Sequence, residues 1–396
     1  MNIKKETAVT PIHSTGGGNS KLHKAKAAKN DEFYTQFDDI AAELQYYWQH
    51  FEGKTVYCNC DDPYESNFCK YFILKFNSLK IKRLITTSYV KSAIQNKELS
   101  LYDYEPESEK TTKSPHKIDI TYVPDWVKTL DDVKKFLEEE KLVVKLNGSG
   151  DFASPECVEL LKQSDIVCTN PPHSLFRKYI DLIVKHEKKF LVIGNLNAVK
   201  YKEIFPLIKN NKIWFGATCF TGGAAYFIAD ENRFDPHQMS SKKNAYSKNG
   251  KFYWRVNGVR WYTNLDHKKR HERIDLVLSY DSKKYPKYDN YDAININKCS
   301  EIPFDYDGIM GVPISFMDKY NPSQFEIIWT TDRGGDGMLE NIKLPAERYD
   351  APTINGKGIY TVTVKASQNL HKEKASCNRM LFSFNHFSNG HEAGTA

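Results

Sequence analysis

Between Leu142 and Ile193 the chain alternates short apolar runs with amphipathic segments, and this alternation narrows the folds open to it more than any other feature. The runs Leu142–Leu146, Ile166–Thr169 and Phe190–Ile193 have the length of buried strands. Between the first two, Ser154-Pro155-Glu156 sets a capping hydroxyl before a first-turn proline and an acid near the positive end of a helix dipole, which predicts a helix through Lys162. After residue 173, Leu175/Phe176, Tyr179/Ile180 and Ile183 share one face of a second helix. Apolar strands separated by helices imply an α/β fold, a mostly parallel sheet with helices on both faces.

The same rhythm extends outward. Phe37, Ile40, Leu44, Trp48 and Phe51 recur at three- and four-residue steps and predict one helix from Asp31 that Gly53 ends. Thr55–Cys58 and Arg83–Thr87 read as strands, with a turn at Cys60-Asp61-Asp62-Pro63 and a helix over Ser66–Phe76 between them. Residues 92–114 form a charged surface excursion, followed by a strand at Ile118–Tyr122 and a helix at Leu130–Lys141. Further strands are expected at Lys212–Phe215, Ala225–Ile228, Phe252–Val256 and Val259–Tyr262, and Asn257-Gly258 predicts that the last two form an antiparallel hairpin closing the sheet. From Leu265 the chain is rich in Tyr, Asn, Lys and Pro with few clean periods, a distinct region of loops and short strands. The expected organisation is a flexible basic arm at 1–30, a catalytic domain at 31–264, a second region at 265–387 and a disordered tail at 388–396.

A chain of 396 residues is long enough for a large core and a second, smaller region. Its formal charge of +6 suits an anionic partner without requiring one. Eight cysteines lie scattered with no Cys-x-x-Cys pair and no nearby paired histidines, so neither a zinc site nor any other metal is expected, and a reduced, cytoplasmic setting is. No stretch approaches the ~20 apolar residues of a membrane span.

Cys168-Thr169-Asn170-Pro171-Pro172-His173 is the stretch that carries chemistry. In open parallel sheets ligands bind at the carboxyl ends of the strands, where Asn170 stands. An amino group conjugated to an aromatic ring, as in adenine, is a poor nucleophile because its lone pair is delocalised. The Asn170 side-chain oxygen and the Pro171 carbonyl can each accept one of its hydrogens, favouring a pyramidal nitrogen with a directed lone pair. Pro171 and Pro172 fix φ and remove competing N–H donors. A flat fourth residue would replace the stacking lost by an extracted base, and here it is His173, a smaller face than a phenyl ring. The direct attack so described needs no covalent enzyme intermediate, so Cys168 is not a nucleophile.

The sequence resembles the EcoRI-type adenine-N6 DNA methyltransferases. The resemblance is carried by Lys29–Phe37, Thr55–Pro63, Gly150–Glu156, Thr169–Pro172, Asp266–Glu272, Tyr285–Asn295 and Gly308–Ile314, which match in order over about residues 20–330. It implies a Rossmann-like S-adenosylmethionine-dependent methyltransferase sheet with a C-terminal target-recognition region at 265–387. It also implies S-adenosylmethionine as cofactor, double-stranded DNA as partner and a monomer, here the modification arm of a restriction-modification system. By the same resemblance Tyr34, Thr35, Gln36, Cys58, Asn59, Asp61, Asp62, Thr86, Asp151, Phe152 and Asn170 would contact the cofactor, and Asn170, Pro171 and Pro172 the target amino group. Two departures stand out: the loop at residues 59–63 has no Gly-x-Gly, and His173 replaces the family's phenylalanine.

Flipping a base out of a duplex requires a grip on the backbone. Lys268, Lys269, Arg270 and Arg273, with His267 and His271, form the densest basic run and are expected at phosphates. Tyr288, Asn290 and Tyr291 lie in a stretch that mixes rings, amides and Lys287, suited to stacking and base-edge readout or to packing as a tyrosine-rich loop. Asp332–Gly337 is a loop and not a phosphate cradle. Methylation of a protein glutamine or an RNA base, or a weakly active DNA-binding homologue limited by His173, remain open alternatives.

Overall fold

Helix α1 (Phe37–Leu44) carries acidic residues in its first turn and buries Ile40, Glu43 and Leu44. The computed structural model describes residues 35–89, 115–220, 224–228, 245–248, 251–256, 258–330, 353–355, 357–358 and 361–367. The expected basic arm, the 92–114 excursion, Tyr34, the 332–337 loop and the 388–396 tail lie outside the described residues. The single helix expected to reach Phe51 is interrupted: Trp48 belongs to a separate 3₁₀ turn and is 49% exposed. The helix ends at Leu44, and Tyr47, fully buried with φ −123°, lies outside it and donates its hydroxyl back to Glu43 at 2.7 Å.

Strand β1 (Thr55–Cys58) is buried throughout. It leads to α2 (Asn67–Lys75), whose cap Ser66 accepts the backbone N–H groups of Phe68 and Cys69, and then to β2 (Arg83–Thr87). Next come β3 (His116–Ile120), α3 (Leu130–Glu139) with a capping box between Thr129 and Asp132, and β4 (Val144–Lys145). The expected five-residue buried strand at 142–146 is therefore only two residues long, and both are exposed. It pairs with β3 alone at the sheet's edge, where a short strand limits unwanted pairing.

The strongest part of the sequence pattern forms as expected. Helix α4 (Pro155–Gln163) starts at the Ser154 cap, β5 (Ile166–Thr169) is wholly buried, and α5 (Phe176–Lys185) follows a 3₁₀ turn at His173–Leu175. Strand β6 (Lys189–Asn195), α6 (Phe205–Lys209) and β7 (Trp214–Cys219) continue the chain. Beyond them lie β8 (Ala224–Ile228), β9 (Ala245–Lys248), β10 (Lys251–Val256) and β11 (Val259–Thr263).

The large sheet has eight strands in the order β4-β3-β2-β1-β5-β6-β11-β7. Its centre, β2-β1-β5-β6, is parallel, while β3 and β11 run against the other strands. The expected hairpin between β10 and β11 does not form. Val256 pairs with Ala224 in the separate β8-β10-β9 sheet, whereas Val259 pairs with Asn195 of β6. The reason lies in β11 itself: Val259 and Trp261 face one core and Tyr262 the other, so both faces need cover that only a central position supplies. The antiparallel closure of the sheet is thus made by β11 between β6 and β7.

Side chains alternate between two apolar layers with a period of two. Val56, Cys58, Ile166, Cys168, Leu191 and Ile193 face the layer covered by α1, α2 and α3. Tyr57, Val167, Phe190 and Val192 face the layer covered by α4, α5 and α6. Residues after 265 fold as β12 (Ile294–Asn295), β13 (Met310–Val312), β14 (Phe325–Thr330), β15 (Thr353–Ile354), β16 (Lys357–Gly358) and β17 (Val362–Ala366). Four of these make a sheet in the order β12-β13-β17-β14. Its Ile294, Met310, Val312, Phe325, Ile327, Val362 and Val364 join the second apolar layer. A half-buried bidentate pair, Arg260 to Asp318 at 2.6 and 2.9 Å, fastens this region to β11.

Glu43 is the most heavily bonded side chain of α1. Its carboxylate accepts from the Tyr47 hydroxyl at 2.7 Å, the N–H groups of Ala217 and Thr218 at 2.7 and 2.6 Å, and the Thr218 hydroxyl at 2.5 Å. Burial raises its carboxyl above the ordinary value, while these four donors pull it back down. The N–H groups come free where the β7–β11 register shifts between Arg260 and Tyr262. Gly216 permits the approach, since a Cβ there would stand 2.2 Å from Glu43 Oε1.

Candidate active site at the carboxyl ends of the parallel strands

Because β2, β1, β5 and β6 run in one direction, the residues after Thr87, Cys58, Thr169 and Asn195 gather along one edge. The loop after β1 is held rigidly there. The Asp61 N–H donates to Thr87 O at 3.0 Å, and Ser66 Oγ, the α2 cap, donates to Asp61 Oδ1 at 2.5 Å. The other carboxylate oxygen, Oδ2, accepts from Thr169 Oγ1 at 2.5 Å. Asp62 shapes the same turn by accepting the N–H groups of Tyr64 and Glu65 at 2.9 and 3.2 Å. In place of a Gly-x-Gly approach, this loop uses side-chain oxygens to fix its backbone.

Thr169 ends β5 and is immediately followed by Asn170, which is partly buried, and by buried Pro171. Pro172 starts the 3₁₀ turn, its carbonyl accepting from Leu175 N at 2.9 Å, and His173 is the turn's first residue, partly buried. On the following helix Tyr179 is completely buried and donates its hydroxyl to Asn59 Oδ1. Its ring meets Phe152 edge-on at 5.0 Å. Burial pushes the Tyr179 hydroxyl well above its ordinary value, so it stays a donor. Burial does the same to the Cys168 thiol, with the charge of Asp61 adding to it, and a protonated thiol is no nucleophile.

The loop bearing Asp151 and Phe152 closes over the end of β2. Gly150 has φ +73°, and a Cβ there would stand 2.0 Å from Ser88 O, so only glycine allows the two segments to touch. Asp151 Oδ1 accepts Ala153 N at 2.7 Å, and Glu156 Oε2 accepts the N–H groups of Asn147 and Gly148, each at 3.1 Å. Thr35 and Gln36 reach the same edge from the start of α1: the Thr35 carbonyl accepts from Asn67 Nδ2 at 2.7 Å, next to the Ser66 cap. Thr86 is completely buried near the end of β2, and Cys58 is completely buried at the end of β1.

The structure therefore brings Thr35, Gln36, Asn59, Asp61, Asp62, Asp151, Phe152 and the Asn170–His173 loop together. Sequence reasoning missed Ser66 as a carboxylate partner, Thr169 as a link between loops, and Tyr179, which it counted only as one apolar member of a helical face. For Ser66 and Thr169 the signal was adjacency: one caps the helix after the acidic pair, the other directly precedes Asn170.

The basic run is placed elsewhere. Thr263 pairs with Leu191 and Trp214, and Asn264 bonds Phe190 and Lys188 near the start of β6, so the chain from residue 264 emerges at the amino-terminal edge of the strands. Arg270 lies over the Trp214 ring at 3.7 Å and donates to Asn211 Oδ1 at 3.0 Å, and Lys269 lies over Tyr46 at 5.1 Å. Lys268 and Arg273 are exposed on that same stretch. Of the tyrosine-rich stretch, Tyr288 is packed, its hydroxyl 2.7 Å from Asn295 Oδ1, and burial pushes it up to about 12. Asn290 Oδ1 accepts Thr353 N at 2.8 Å, and Tyr291 lies against Trp329.

His267 is buried, with Nε2 2.9 Å from Phe215 O. Since a carbonyl can only accept, Nε2 carries the hydrogen, and protonation would add a charged N–H at Nδ1, a buried atom with no partner among the described residues. Burial lowers His267 below its ordinary 6.5, so the unfolded chain takes up the proton first as pH falls. Stability is expected to be full above that value and to decline as pH drops through the folded one. Denaturant midpoints at about pH 7.5 and about pH 5 should diverge less in His267→Gln than in the wild type, and an unchanged difference would show that His267 is not responsible.

Among the described residues no helix is long and apolar enough to cross a membrane, and no group of three His, Cys, Asp or Glu side chains is placed to hold a metal ion. Known proteins match this chain strongly. It is 45% identical over 318 residues to the type II methyltransferase M.EcoRI of Escherichia coli, covering 78% of this chain and 89% of that one. It is 36% identical to the type II methyltransferase M.MgeORF184P of Mycoplasma genitalium and 34% identical to M.MpnI of Mycoplasma pneumoniae, each over 88% of this chain and 99% of the relative. No solved structure matches it. Residues 21–382 match the family described as adenine-specific methyltransferase EcoRI, a span that contains every loop of the edge built above. An α/β sheet that sets Asn-Pro-Pro beside an acidic loop thus has its explanation in descent, and the chain belongs to the EcoRI family of adenine-specific methyltransferases.

Proposed function

We propose that the chain moves a methyl group from S-adenosylmethionine to the exocyclic N6 of an adenine turned out of duplex DNA, as the modification arm of a restriction-modification system. The observation that carries this reading is the placement of Asn170-Pro171-Pro172-His173 at the carboxyl end of β5, directly bonded through Thr169 to the loop after β1. The names of the relatives, all type II methyltransferases, support duplex DNA as the substrate.

The residues at this edge fit the cofactor. Thr35 Oγ1 and Asn59 Nδ2 are buried and meet no hydrogen-bond partner among the described residues, and buried polar atoms are otherwise nearly always satisfied. Thr35 and Gln36, with Tyr34 before them, Asn59 and Asp62 would hold it on one side, and Asp151 and Phe152 its adenine. Asp61, whose two oxygens already serve Ser66 and Thr169, would shape the loop, as would Thr86 and Cys58 from within the strands. When bound, S-adenosylmethionine supplies a methyl group made electrophilic by its sulfonium.

The protein's part is to prepare the nitrogen. Asn170 Oδ1 and the Pro171 carbonyl would each accept a hydrogen bond from one amino hydrogen, localising the lone pair on N6. As N6 bonds the methyl group the methyl–sulfur bond breaks, S-adenosylhomocysteine leaves, and N6 loses one proton to solvent. Pro172 holds the turn, and His173 lies against the extruded base. Exposed Lys268 and Lys269 would meet only phosphates beyond the opposite edge of the sheet. Sequencing DNA from cells that express the chain should reveal N6-methyladenine at one recurring sequence; DNA left unmethylated while RNA or protein gains methyl groups would overturn the reading.

The imidazole offers a smaller stacking face than the phenyl ring of the family pattern. His173→Phe is therefore expected to raise the single-turnover rate or tighten binding of the extruded base by roughly three- to tenfold, from about 1 kcal/mol of added stacking. Fluorescence of 2-aminopurine at the target position reads the second quantity. A variant unaltered in both quantities would remove any role for the ring.

A further inference from the structure

We propose that Thr169 and Tyr179 are positioning residues that clamp the Asn170 loop onto the loop after β1, a role that rests on the methyltransferase reading above. The two side chains flank the tetrapeptide: Thr169 immediately precedes Asn170, and Tyr179 stands on the helix that follows His173. Both are completely buried, and both donate to the same short segment, Thr169 to Asp61 Oδ2 at 2.5 Å and Tyr179 to Asn59 Oδ1.

The receiving atoms are themselves fixed. Ser66 Oγ accepts the N–H groups of Phe68 and Cys69 at 3.0 and 3.3 Å, so its single hydrogen is directed to Asp61 Oδ1. Asp61 is also anchored by its own N–H on Thr87 O at 3.0 Å. Three elements therefore converge on one residue: the start of α2 and the end of β5 on the Asp61 carboxylate, and the end of β2 on its backbone N–H. Tyr179 is braced by the edge of Phe152 at 5.0 Å and by its helix. A hydroxyl was not needed at either position for packing. Valine has the shape of threonine and phenylalanine that of tyrosine, so each change removes the hydroxyl and its hydrogen bond with little change in shape. What the hydroxyls add is registration of the loop that must grip an amino group against the loop assigned to the cofactor, where a shift of about 1 Å costs on the order of 10²-fold in rate.

The test compares Thr169→Val, Thr169→Ser and Tyr179→Phe in the full chain. Single-turnover methylation of an adenine-containing duplex is measured beside the affinity for S-adenosylhomocysteine and the thermal midpoint. Thr169→Val should lose roughly ten- to a hundredfold in rate with product affinity held within about threefold, while Thr169→Ser, which restores the hydroxyl, recovers most of the rate. Tyr179→Phe should lose roughly fivefold or more in rate with the same split. Wild-type rates in Thr169→Val and Tyr179→Phe would overturn the clamp, as would equal impairment of the valine and serine variants. A wild-type chain that binds neither S-adenosylhomocysteine nor methylates any duplex would instead sink the reading on which the clamp rests.

Discussion

Replacing Asn170 with alanine should lower methyl transfer by about 10³-fold or more while affinity for S-adenosylhomocysteine stays within about threefold. The residue follows the last position of β5 at the carboxyl edge of the sheet, in a turn whose geometry Pro171 and Pro172 set without its side chain. Its amide oxygen serves in the reaction by accepting an amino hydrogen as the nitrogen becomes pyramidal, and such an interaction grows toward the transition state. Alanine removes that acceptor, while Asp61 in the loop after β1 keeps its bonds to Thr169 and Ser66. Single-turnover rates and a calorimetric titration separate the two quantities. Equal loss of both would make Asn170 a structural residue.

Glu43→Ala should be the most destabilising single change in α1, costing about 3–5 kcal/mol. The carboxylate gathers four donors, two of them the N–H groups of Ala217 and Thr218, which the register shift of β7 leaves without a strand partner. Removing it leaves the Thr218 N–H and hydroxyl without their carboxylate acceptor and the Ala217 N–H with the Tyr47 hydroxyl alone at 3.1 Å, and it opens space beside Gly216 and Trp261. Glu43→Gln should not rescue, because its amide nitrogen would turn a donor toward donors. The urea midpoint should fall with the slope unchanged. A loss below about 1 kcal/mol in both variants would mean that water replaces the carboxylate at β7.

Where a pattern was local the sequence was explicit. Ser154-Pro155-Glu156 states a helix start in three residues, and β5 and β6 are recognisable because a strand covered on both faces is apolar throughout. Partner choice was less visible. Asn257-Gly258 has the composition of a hairpin turn, yet β11 joins β6 and β7, since which strands pair depends on where two-sided burial can be met. Likewise Trp48 continued a helical spacing, yet the helix ends at Leu44 and Trp48 stands in a separate 3₁₀ turn. In the candidate site, Asp61 and Asn170 were legible as polar residues at strand ends. Thr169 and Tyr179 were not, because their significance is a hydrogen bond across 108 and 120 residues of sequence. The run Lys268–Arg270 was legible as a candidate phosphate grip by its charge density, a quantity that does not give the edge of the sheet it occupies.

The most direct test is a structure of the chain with S-adenosylhomocysteine and a duplex carrying its target adenine. The extruded N6 is expected within about 3.2 Å of both Asn170 Oδ1 and the Pro171 carbonyl, on the side facing the cofactor sulfur. An adenine left stacked in the duplex, or those two oxygens turned away from N6, would contradict it.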